Sequence, residues 1–314
     1  MRVVFLGTPR AAVPSLQAIL EAGHEVPLVV TRPDRPVKRS GTPEAPPVKA
    51  SAAAAGLRVI QPGKVRDDAF LRAIEDARAD ALAVVAYGRI LPSPVLRVTP
   101  HGAINVHFSL LPKYRGAAPV AWALARAETE TGVTTFRLDE GLDTGAVLLA
   151  RRVAIEPREH APALLERLAA LGGETLVCTL TGLEAGTIEP RPQDDALATA
   201  APLISRGDGA WHPAWSAREV EGRVRGLDPW PGVWAVRDGR RLRLVEAWST
   251  AGATTEEPGR VLELTADGLL LACASGTIAA VASVQPEGRR AMSAREAVSG
   301  RQISPGDRLE RPQA

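Results

Sequence analysis

The sequence predicts an α/β protein in which a doubly wound, Rossmann-like parallel sheet is followed by a small β-barrel. In the first half, continuous apolar runs alternate with amphipathic helical patterns, as in parallel sheets whose strands are buried on both faces. After Trp211 the pattern changes to short alternating strands separated by turns. Five of the six tryptophans lie between Trp211 and Trp248, so the two parts of the chain also differ in composition.

The elements of the first half follow from apolar periodicity. Thr8 and Pro9, after the first strand, predict a helix N-cap followed by a proline in the first turn. The Gly7-Thr8-Pro9 turn lacks the GxGxxG spacing of dinucleotide-binding sheets, so fold class alone does not indicate a ligand. The predicted strands are 2–6, 25–30, 57–60, 81–86 and 103–108, and the predicted helices lie near 10–22, 47–55, 66–77, 91–97 and 161–186.

Two irregular segments interrupt these elements. Residues 31–47 contain five prolines and a group of basic side chains, which predicts a long inserted loop of the kind that is usually functional or disordered. Residues 187–206 are polar, contain proline and have no clear period. We therefore predict a first domain over 1–186, a linker over 187–206 and a barrel domain over 207–314.

The second half begins with a helix and continues with strands. Ser216 and Glu219 form a predicted capping box, as do Ser293 and Glu296, so each pair marks the start of a short helix. The predicted strands between these two helices lie near 233–237, 241–248, 259–264, 268–273 and 276–284.

Composition bounds the class of protein. Charged residues nearly balance over the 314 residues, with a formal net charge of +2, which does not by itself indicate a nucleic-acid binder. Cys178 and Cys273 are far apart and no Cys/His cluster occurs, so we expect neither a disulfide nor a metal. No signal-peptide pattern opens the sequence, and no apolar run approaches the roughly 20 residues that cross a bilayer. We expect a cytoplasmic protein and, without heptads or repeats, a monomer.

Two polar residues lie on the strand predicted at 103–108. Asn105 and His107 project to one face of this strand, and Ile104 and Val106 project to the other. A pair of this kind is either hydrogen-bonded within the core or part of a site, because unpaired buried polar groups are costly. The pair alone does not decide between these interpretations.

An acidic turn follows between the strand-like runs 132–138 and 146–150. The segment Leu138 to Gly145 is either a hairpin loop with solvated carboxylates or a partner of Asn105 and His107. In the second case Asp143 would orient the ring of His107 and favour the imidazolium form. Asn105 could donate to the oxyanion of a tetrahedral intermediate. No serine or cysteine elbow is present, which favours direct acyl transfer between two bound substrates.

Collinear motifs give the sequence a family resemblance over nearly its whole length. It resembles the formyltetrahydrofolate-dependent formyltransferases and, within them, the methionyl-tRNA formyltransferase family. The first group of motifs is Asn105-x-His107, Ser109-Leu-Leu-Pro112, Arg115-Gly-Ala-Ala-Pro119 and Gly141-Leu-Asp-Thr-Gly145. The more specific group is Gly7-Thr-Pro9, Arg32-Pro-Asp-Arg-Pro36, Val84-Val-Ala-Tyr-Gly88, Trp215-Ser-Ala217, Asp228-Pro-Trp-Pro-Gly232, Val284-Gln-Pro-Glu-Gly288 and Ala291-Met-Ser293.

The resemblance implies a formyltransferase fold with an OB-like second domain. It also implies formyl transfer from 10-formyltetrahydrofolate, as co-substrate, to the α-amino group of methionyl initiator tRNA, in translation initiation and without a metal. Asn105, His107 and Asp143 would be catalytic, with protonated His107 helping Asn105 to stabilise the oxyanion. The implied folate-pocket residues are Tyr87, Gly88, Ile90, Leu91, Ser109, Leu110, Leu111, Pro112, Leu138 and Asp139. The implied tRNA contacts are Arg32, Arg35, Lys38 and Arg39, with the barrel as a second tRNA-contacting region.

Two other functions stay open at this point. One is formyl transfer to a small amine, such as glycinamide ribonucleotide or an amino-sugar nucleotide, although the C-terminal motifs are not expected in those relatives. The other is an RNA-binding protein that has kept the fold and lost catalysis, against which the intact trio argues. The loop after Arg39 also departs from the family, because Thr42, Pro43 and Glu44 follow where a further lysine is usual.

Overall fold

A computed structural model describes residues 1–36 and 43–312, and the chain divides into two compact units. Unit 1 comprises Met1–Pro119, Thr131–Ala154 and Leu165–Ala201, and unit 2 comprises Val120–Glu130, Ile155–Leu164 and Pro202–Ala314. The segment 187–201, predicted as a linker, therefore packs with unit 1. Its backbone forms bridges with Arg115 and with Val147 of that unit, and the sequence pattern did not predict either bridge.

Unit 1 is built on a sheet of seven strands in the order β5-β2-β1-β6-β7-β8-β9. The strands from β5 to β7 are parallel, and β8 pairs antiparallel with β7. The predicted α/β class is confirmed, with a mixed rather than wholly parallel sheet. The strands are β1 Arg2–Gly7, β2 Glu25–Val30, β3 Arg35–Pro36, β4 Pro43–Glu44, β5 Val59–Ile60, β6 Ala81–Val85, β7 Ala103–His107, β8 Glu130–Arg137 and β9 Val147–Ala154.

Six helices accompany these strands along the sequence. Proline stands in the first turn of α1 and α2, where its missing N–H leaves no hydrogen bond unmade. Thr8 does not cap a helix as predicted, because its hydroxyl donates to the carbonyl oxygen of Tyr87 instead. The helices are α1 Val13–Glu21, α2 Pro47–Ala54, α3 Asp68–Asp76, α4 Ser93–Leu96, α5 Pro119–Ala125 and α6 Ala161–Glu184.

The core of unit 1 comes from the apolar strands and one face of each helix. Strand β6 is buried at all five positions, as expected for a parallel strand covered on both faces. In α3 the buried residues are Phe70 and Ile74, four apart and therefore on one face. The side chain of Tyr87 joins this cluster and is only 2% exposed.

Unit 2 contains an antiparallel sheet in the order β10-β11-β14-β13-β12, with β15 paired to β14. Residues near the end of the chain bridge the two edges of this sheet, because Arg308 pairs with Arg260 and Glu310 pairs with Val236. These two single bridges join the last residues of the chain to both edges, in keeping with the predicted small barrel. The strands are β10 Val233–Arg237, β11 Arg240–Ala253, β12 Val261–Leu264, β13 Leu269–Ala272, β14 Thr277–Pro286 and β15 Met292–Ser293.

Two capped helices, α7 Ala217–Gly226 and α8 Ala294–Ser299, pack in unit 2. Both predicted capping boxes are present, with Ser216 and Ser293 each exchanging hydrogen bonds with the glutamate three residues later. Gly222 and Gly226 lie against the backbone of α5, and a Cβ on either glycine would overlap a carbonyl oxygen there. Close approach of the two helices therefore requires these glycines.

Candidate active site at the end of strand β7

Strand β7 places Asn105 and His107 at the carboxyl end of the parallel part of the sheet. Asn105 pairs with Val84 of β6 and Phe136 of β8, so its position is fixed from both sides. Its side-chain amide is half-buried and makes no hydrogen bond within residues 1–36 and 43–312. The ring of His107 is 5% exposed and meets Phe136 edge-on, with ring centroids 6.3 Å apart.

The two nitrogens of His107 have different environments. Nε2 lies 2.8 Å from the carbonyl oxygen of Tyr114, and because a carbonyl only accepts, this nitrogen carries the proton. Nδ1 faces the carboxylate of Asp143, with 3.7 Å between Nδ1 and Oδ2. That distance is an ion-pair separation and is too long for a hydrogen bond.

Asp143 projects from the tight turn that joins β8 and β9. Its Oδ2 accepts a hydrogen bond from the backbone N–H of Gly116 at 2.8 Å, and its backbone has a left-handed φ of 56°. A Cβ at Gly145 would overlap the carbonyl oxygen of Arg137, so only glycine fits there. Asp139 closes the turn from within, accepting from the Thr144 hydroxyl at 2.7 Å.

Burial lowers the pKa of His107, although Asp143 and the carbonyl of Tyr114 both act to raise it. Asp143 acts in the expected direction, towards the imidazolium, but burial outweighs it and the net shift favours the neutral ring. A carboxylate 3.7 Å away does not offset the loss of solvation around an almost fully buried ring. The resting imidazole is neutral with its proton on Nε2, which leaves Nδ1 free to accept a proton beside a carboxylate.

Sequence reasoning missed the contribution of the segment 191–201. Gln193 contacts the loops of both Arg115 and Asp143, and Thr199 accepts the backbone N–H of Tyr114 on its hydroxyl at 2.9 Å. Arg191 and Val147 exchange backbone hydrogen bonds of 2.8 Å in both directions. No periodicity marks these contacts, because they are made one residue at a time by an extended chain.

The residues assigned to a folate pocket differ in exposure. Tyr87, Leu91 and Ser109 are buried, and the Ser109 hydroxyl donates to the Lys113 carbonyl at 2.7 Å. Ile90 is 81% exposed. Leu142, which sequence reasoning did not select, is 68% exposed beside Asp143. The remaining assigned residues are Gly88 and Asp139, which are exposed, and Leu110, Leu111, Pro112 and Leu138, which are half-buried.

An open cavity of about 650 Å³ lies beside the acidic turn. Of the assigned folate residues, Leu138 and Asp139 line it. Arg97 and Glu140 also line the cavity and form an ion pair of 3.1 Å between exposed side chains. The opposite wall comes from Ser93 and Leu96, on helix α4.

The inserted basic loop is anchored at its base. The Lys49 ammonium pairs with the carboxylate of Asp34 at 2.7 Å, and the Gln61 amide donates to Asp34 at 2.6 Å and to the Arg32 carbonyl at 2.8 Å. Arg32, one of the expected tRNA contacts, is half-buried beside Gly88. The expected contacts Lys38 and Arg39 lie outside the described residues, as does the side chain of Arg35.

In unit 2, arginine side chains stack on tryptophans. The Arg241 guanidinium lies 3.9 Å from the Trp234 ring centroid, and that of Arg206 lies 5.9 Å from it. Neither guanidinium forms an ion pair within 4.0 Å among the residues whose structure is described, although the Glu287 carboxylate accepts the backbone N–H of Arg241 at 3.3 Å. Burial and then the charge of Arg206 lower the pKa of Arg241, so two like charges converge on one indole.

Neither a metal-binding cluster nor a membrane-spanning helix occurs among residues 1–36 and 43–312. In that part of the chain there is no group of three or more His, Cys, Asp or Glu side chains arranged to hold a metal ion. Among the helices described, none combines the length and apolar character needed to span a membrane.

Comparison with known proteins assigns both parts of the sequence. Residues 1–180 match the formyl transferase family, and residues 210–302 match the formyl transferase C-terminal domain. A methionyl-tRNA formyltransferase of Acidobacterium capsulatum is 47% identical over 98% of this chain and 99% of its own length. One from Anaeromyxobacter sp. is 49% identical over 96% of this chain and 97% of its own.

A solved structure shares the fold. It is an N-formyltransferase from Helicobacter canadensis, crystallised with folinic acid and dTDP-3-aminofucose, with a TM-score of 0.66 and 17% identity. The match covers 90% of this chain and 98% of that one. At this identity the likeness supports the fold, and the sequence relatives carry the family assignment.

Proposed function

This chain belongs to the methionyl-tRNA formyltransferase family, and we propose that it transfers the formyl group of 10-formyltetrahydrofolate to the α-amino group of methionyl initiator tRNA. One observation carries the mechanism: Nδ1 of the buried His107 ring faces the Asp143 carboxylate at 3.7 Å. Asn105, two residues earlier on the same strand, has a side-chain amide without a hydrogen-bond partner among the described residues. The relatives match this chain from end to end, including the C-terminal domain that follows the catalytic sheet.

The proposed reaction is direct attack of the amine on the formyl carbon. The amine nitrogen forms the new C–N bond while the carbonyl oxygen takes up the electron pair of its π bond. Asn105 donates a hydrogen bond to this oxyanion. An α-amine has a reference pKa near 7.7–8.0, so an appreciable neutral fraction is available at neutral pH.

His107 then accepts the proton that the attacking nitrogen loses. Its Nδ1 is the free position, and the imidazolium that forms is stabilised by the carboxylate of Asp143. Collapse of the tetrahedral intermediate breaks the bond between the formyl carbon and N10 of the folate. The proton passes from His107 to N10, which releases tetrahydrofolate and returns the imidazole to its neutral form.

For the folate, we propose the surface between Ile90 and the acidic turn. Ile90 and Leu142 are large apolar side chains that are exposed, and covering them would remove apolar area from water. We propose that the assigned pocket residues, including Gly88, Leu138 and Asp139, line this surface. Backbone groups of the two loops supply the polar contacts, as in other small-ligand sites.

For the tRNA, we propose contacts from both parts of the sequence. In unit 1 the basic loop supplies Arg32, Arg35, Lys38 and Arg39 for backbone phosphates. In unit 2 the unpaired guanidiniums of Arg206 and Arg241 suit an anion, and Trp234 between them offers a stacking face. We propose that the enzyme acts as a monomer in the cytoplasm, where charged tRNA is used.

The test is transfer of labelled formyl from 10-formyltetrahydrofolate to a panel of acceptors: charged initiator tRNA, charged elongator tRNA, free methionine and glycinamide ribonucleotide. We expect label on the charged initiator tRNA at a rate far above that for the small amines. Label on glycinamide ribonucleotide alone would instead identify a small-amine formyltransferase. Binding of tRNA without transfer to any acceptor would identify an inactive RNA-binding relative.

A further inference from the structure

Gln193 links the two loops that hold the proposed catalytic groups. Its side-chain Nε2 donates to the carbonyl oxygens of Asp143 and Gly145, both at 2.8 Å. Its Oε1 accepts from the guanidinium of Arg115 at 2.8 and 3.1 Å. We propose that Gln193 is a positioning residue that fixes the Asp143 carboxylate relative to His107. This inference rests on the proposed function and adds to it a residue outside the two loops.

The Asp143 backbone needs a constraint from outside its own turn. A left-handed φ of 56° at a non-glycine residue costs free energy and persists where the surroundings hold it. The turn is closed from within by Asp139, but those contacts are made on the exposed side. The Gln193 side-chain amide donates to the carbonyl oxygens of Asp143 and Gly145, on either side of Thr144. These two hydrogen bonds limit how far the Asp143 backbone can rotate.

The Arg115 loop contacts both members of the pair. The carbonyl oxygen of Tyr114 accepts from His107 Nε2, and the N–H of Gly116 donates to the Asp143 carboxylate. The residue between them, Arg115, is the partner of Gln193. A shift of Gln193 would therefore move the histidine partner and the aspartate partner together.

The segment that carries Gln193 is itself held at both ends. Arg191 pairs with Val147 at the start of β9. Farther along, Arg115 donates its backbone N–H to Thr199 at 2.8 Å and accepts from Ala201 at 2.7 Å. Gln193 is half-buried and lies between these two sets of backbone hydrogen bonds in the sequence, so its backbone is held on both sides.

The deciding variant is Gln193→Glu. Glutamate keeps an oxygen for Arg115 but replaces the amide donor by an oxygen that faces two carbonyls. We expect kcat to fall roughly 10- to 100-fold, as for displacements of about 1 Å at reacting groups, with both KM values close to those of the unchanged enzyme. In an NMR titration of the His107 ring, the pKa should fall further in the uncharged variant Gln193→Met, because the Asp143 carboxylate that raises it is held less closely and no new charge is added.

Two further proteins make the test decisive. Gln193→Met removes all four side-chain hydrogen bonds without adding charge, and it replaces the glutamate variant if that protein does not fold. Gln302→Glu is the matched control, because Gln302 also donates to a backbone carbonyl, that of Gly300 at 2.7 Å, but in unit 2. We expect the control to keep the original kcat and His107 titration.

The outcomes separate this inference from the proposed function. If the unchanged enzyme forms no formylated tRNA, the proposed function fails. If the unchanged enzyme is active and a folded Gln193 variant has the same kcat and the same His107 titration, the positioning role is wrong. A rise in KM with kcat unchanged would also overturn it, because Gln193 would then act on binding.

Discussion

At His107, two opposing effects act on one imidazole. The buried environment disfavours a charge, and Asp143 favours it, with burial the larger effect. A base of this kind is neutral before the reaction and acquires a stabilised charge during it. The same pair of residues would be less useful as a permanent ion pair, because a resting imidazolium has no site for the proton of the amine.

The pKa of His107 predicts a pH dependence. Since the pKa lies below its ordinary value, the neutral base is already dominant at pH 6.5, and kcat/KM should show the histidine limb on the acid side of that pH. In Asp143→Asn the carboxylate that raises the pKa is lost, so the limb should move to lower pH while the plateau rate falls.

The pKa of His107 in the original enzyme and in Asp143→Asn can be measured from pH profiles of kcat/KM and by NMR titration of the ring in the free enzyme. His212→Gln is a suitable control, because His212 lies in unit 2, where its ring accepts the backbone N–H of Ala214 at 3.0 Å. A limb above pH 6.5 that moves upward in Asp143→Asn would contradict the neutral-base assignment.

Residue types and spacing on β7 predicted that Asn105 and His107 share one face, because a strand places alternate residues on the same side. The pattern left the place of Asp143 open, and only the family resemblance implied that it joins them. The protonation state was not predictable in this way, since it depends on how much solvent is removed from the ring. Gln193 was not predictable either. A single glutamine in an aperiodic segment has no pattern that distinguishes it from a solvated side chain.

At the scale of elements, most strands and helices were predictable from apolar period and punctuation. Both capping boxes started helices where expected, and β2 has the predicted bounds. The antiparallel addition of β8 to the sheet was not predictable from apolar content, which does not distinguish strand direction. The need for glycine at two positions of α7 was also not predictable, because it depends on the close packing of α5 against that helix.

Packing of α7 on α5 predicts the effect of Gly222→Ala. A Cβ at this position would overlap the carbonyl oxygen of Leu124, so the helices would have to separate. We expect the free energy of unfolding of unit 2 to fall by about 1–3 kcal/mol, as for overpacked cores. Urea unfolding followed by tryptophan fluorescence reports on this unit, which contains all six tryptophans.

The control for that measurement is Gly63→Ala. Gly63 has open space around its Cα, and its φ is not in the left-handed region, so an added methyl group meets nothing. Equal unfolding curves for Gly222→Ala and the unchanged protein would show that the α5–α7 contact tolerates separation.

For the whole molecule, a formal net charge of +2 did not indicate nucleic-acid binding, and local charge placement is more informative. The described basic residues divide into those paired with acids and those that are not. Arg308, for example, forms an ion pair with Glu257 at 2.9 Å. The guanidiniums of Arg206 and Arg241 instead lie over the ring of Trp234 and form no ion pair among the described residues. A polyanion would interact most strongly with the unpaired group.

This distribution predicts the salt dependence of tRNA binding. Arg241→Gln should weaken binding and reduce the slope of log K against log salt by about 1, corresponding to one lost phosphate contact. Arg308→Gln removes the same charge from a paired site and should leave the slope unchanged. Binding can be followed by fluorescence anisotropy of labelled tRNA between low and moderate salt. Equal slopes for the two variants would remove Arg241 from the tRNA-contacting surface.

The most direct test of the account is a single-turnover measurement with labelled 10-formyltetrahydrofolate, charged initiator tRNA and enzyme in excess, quenched rapidly with acid. We expect label to pass to the tRNA without appearing on the protein, and Asn105→Ala to slow this step by roughly 10²- to 10³-fold while tRNA binding is retained. Label trapped on the protein, or an Asn105→Ala enzyme as fast as the original, would contradict direct transfer by this site.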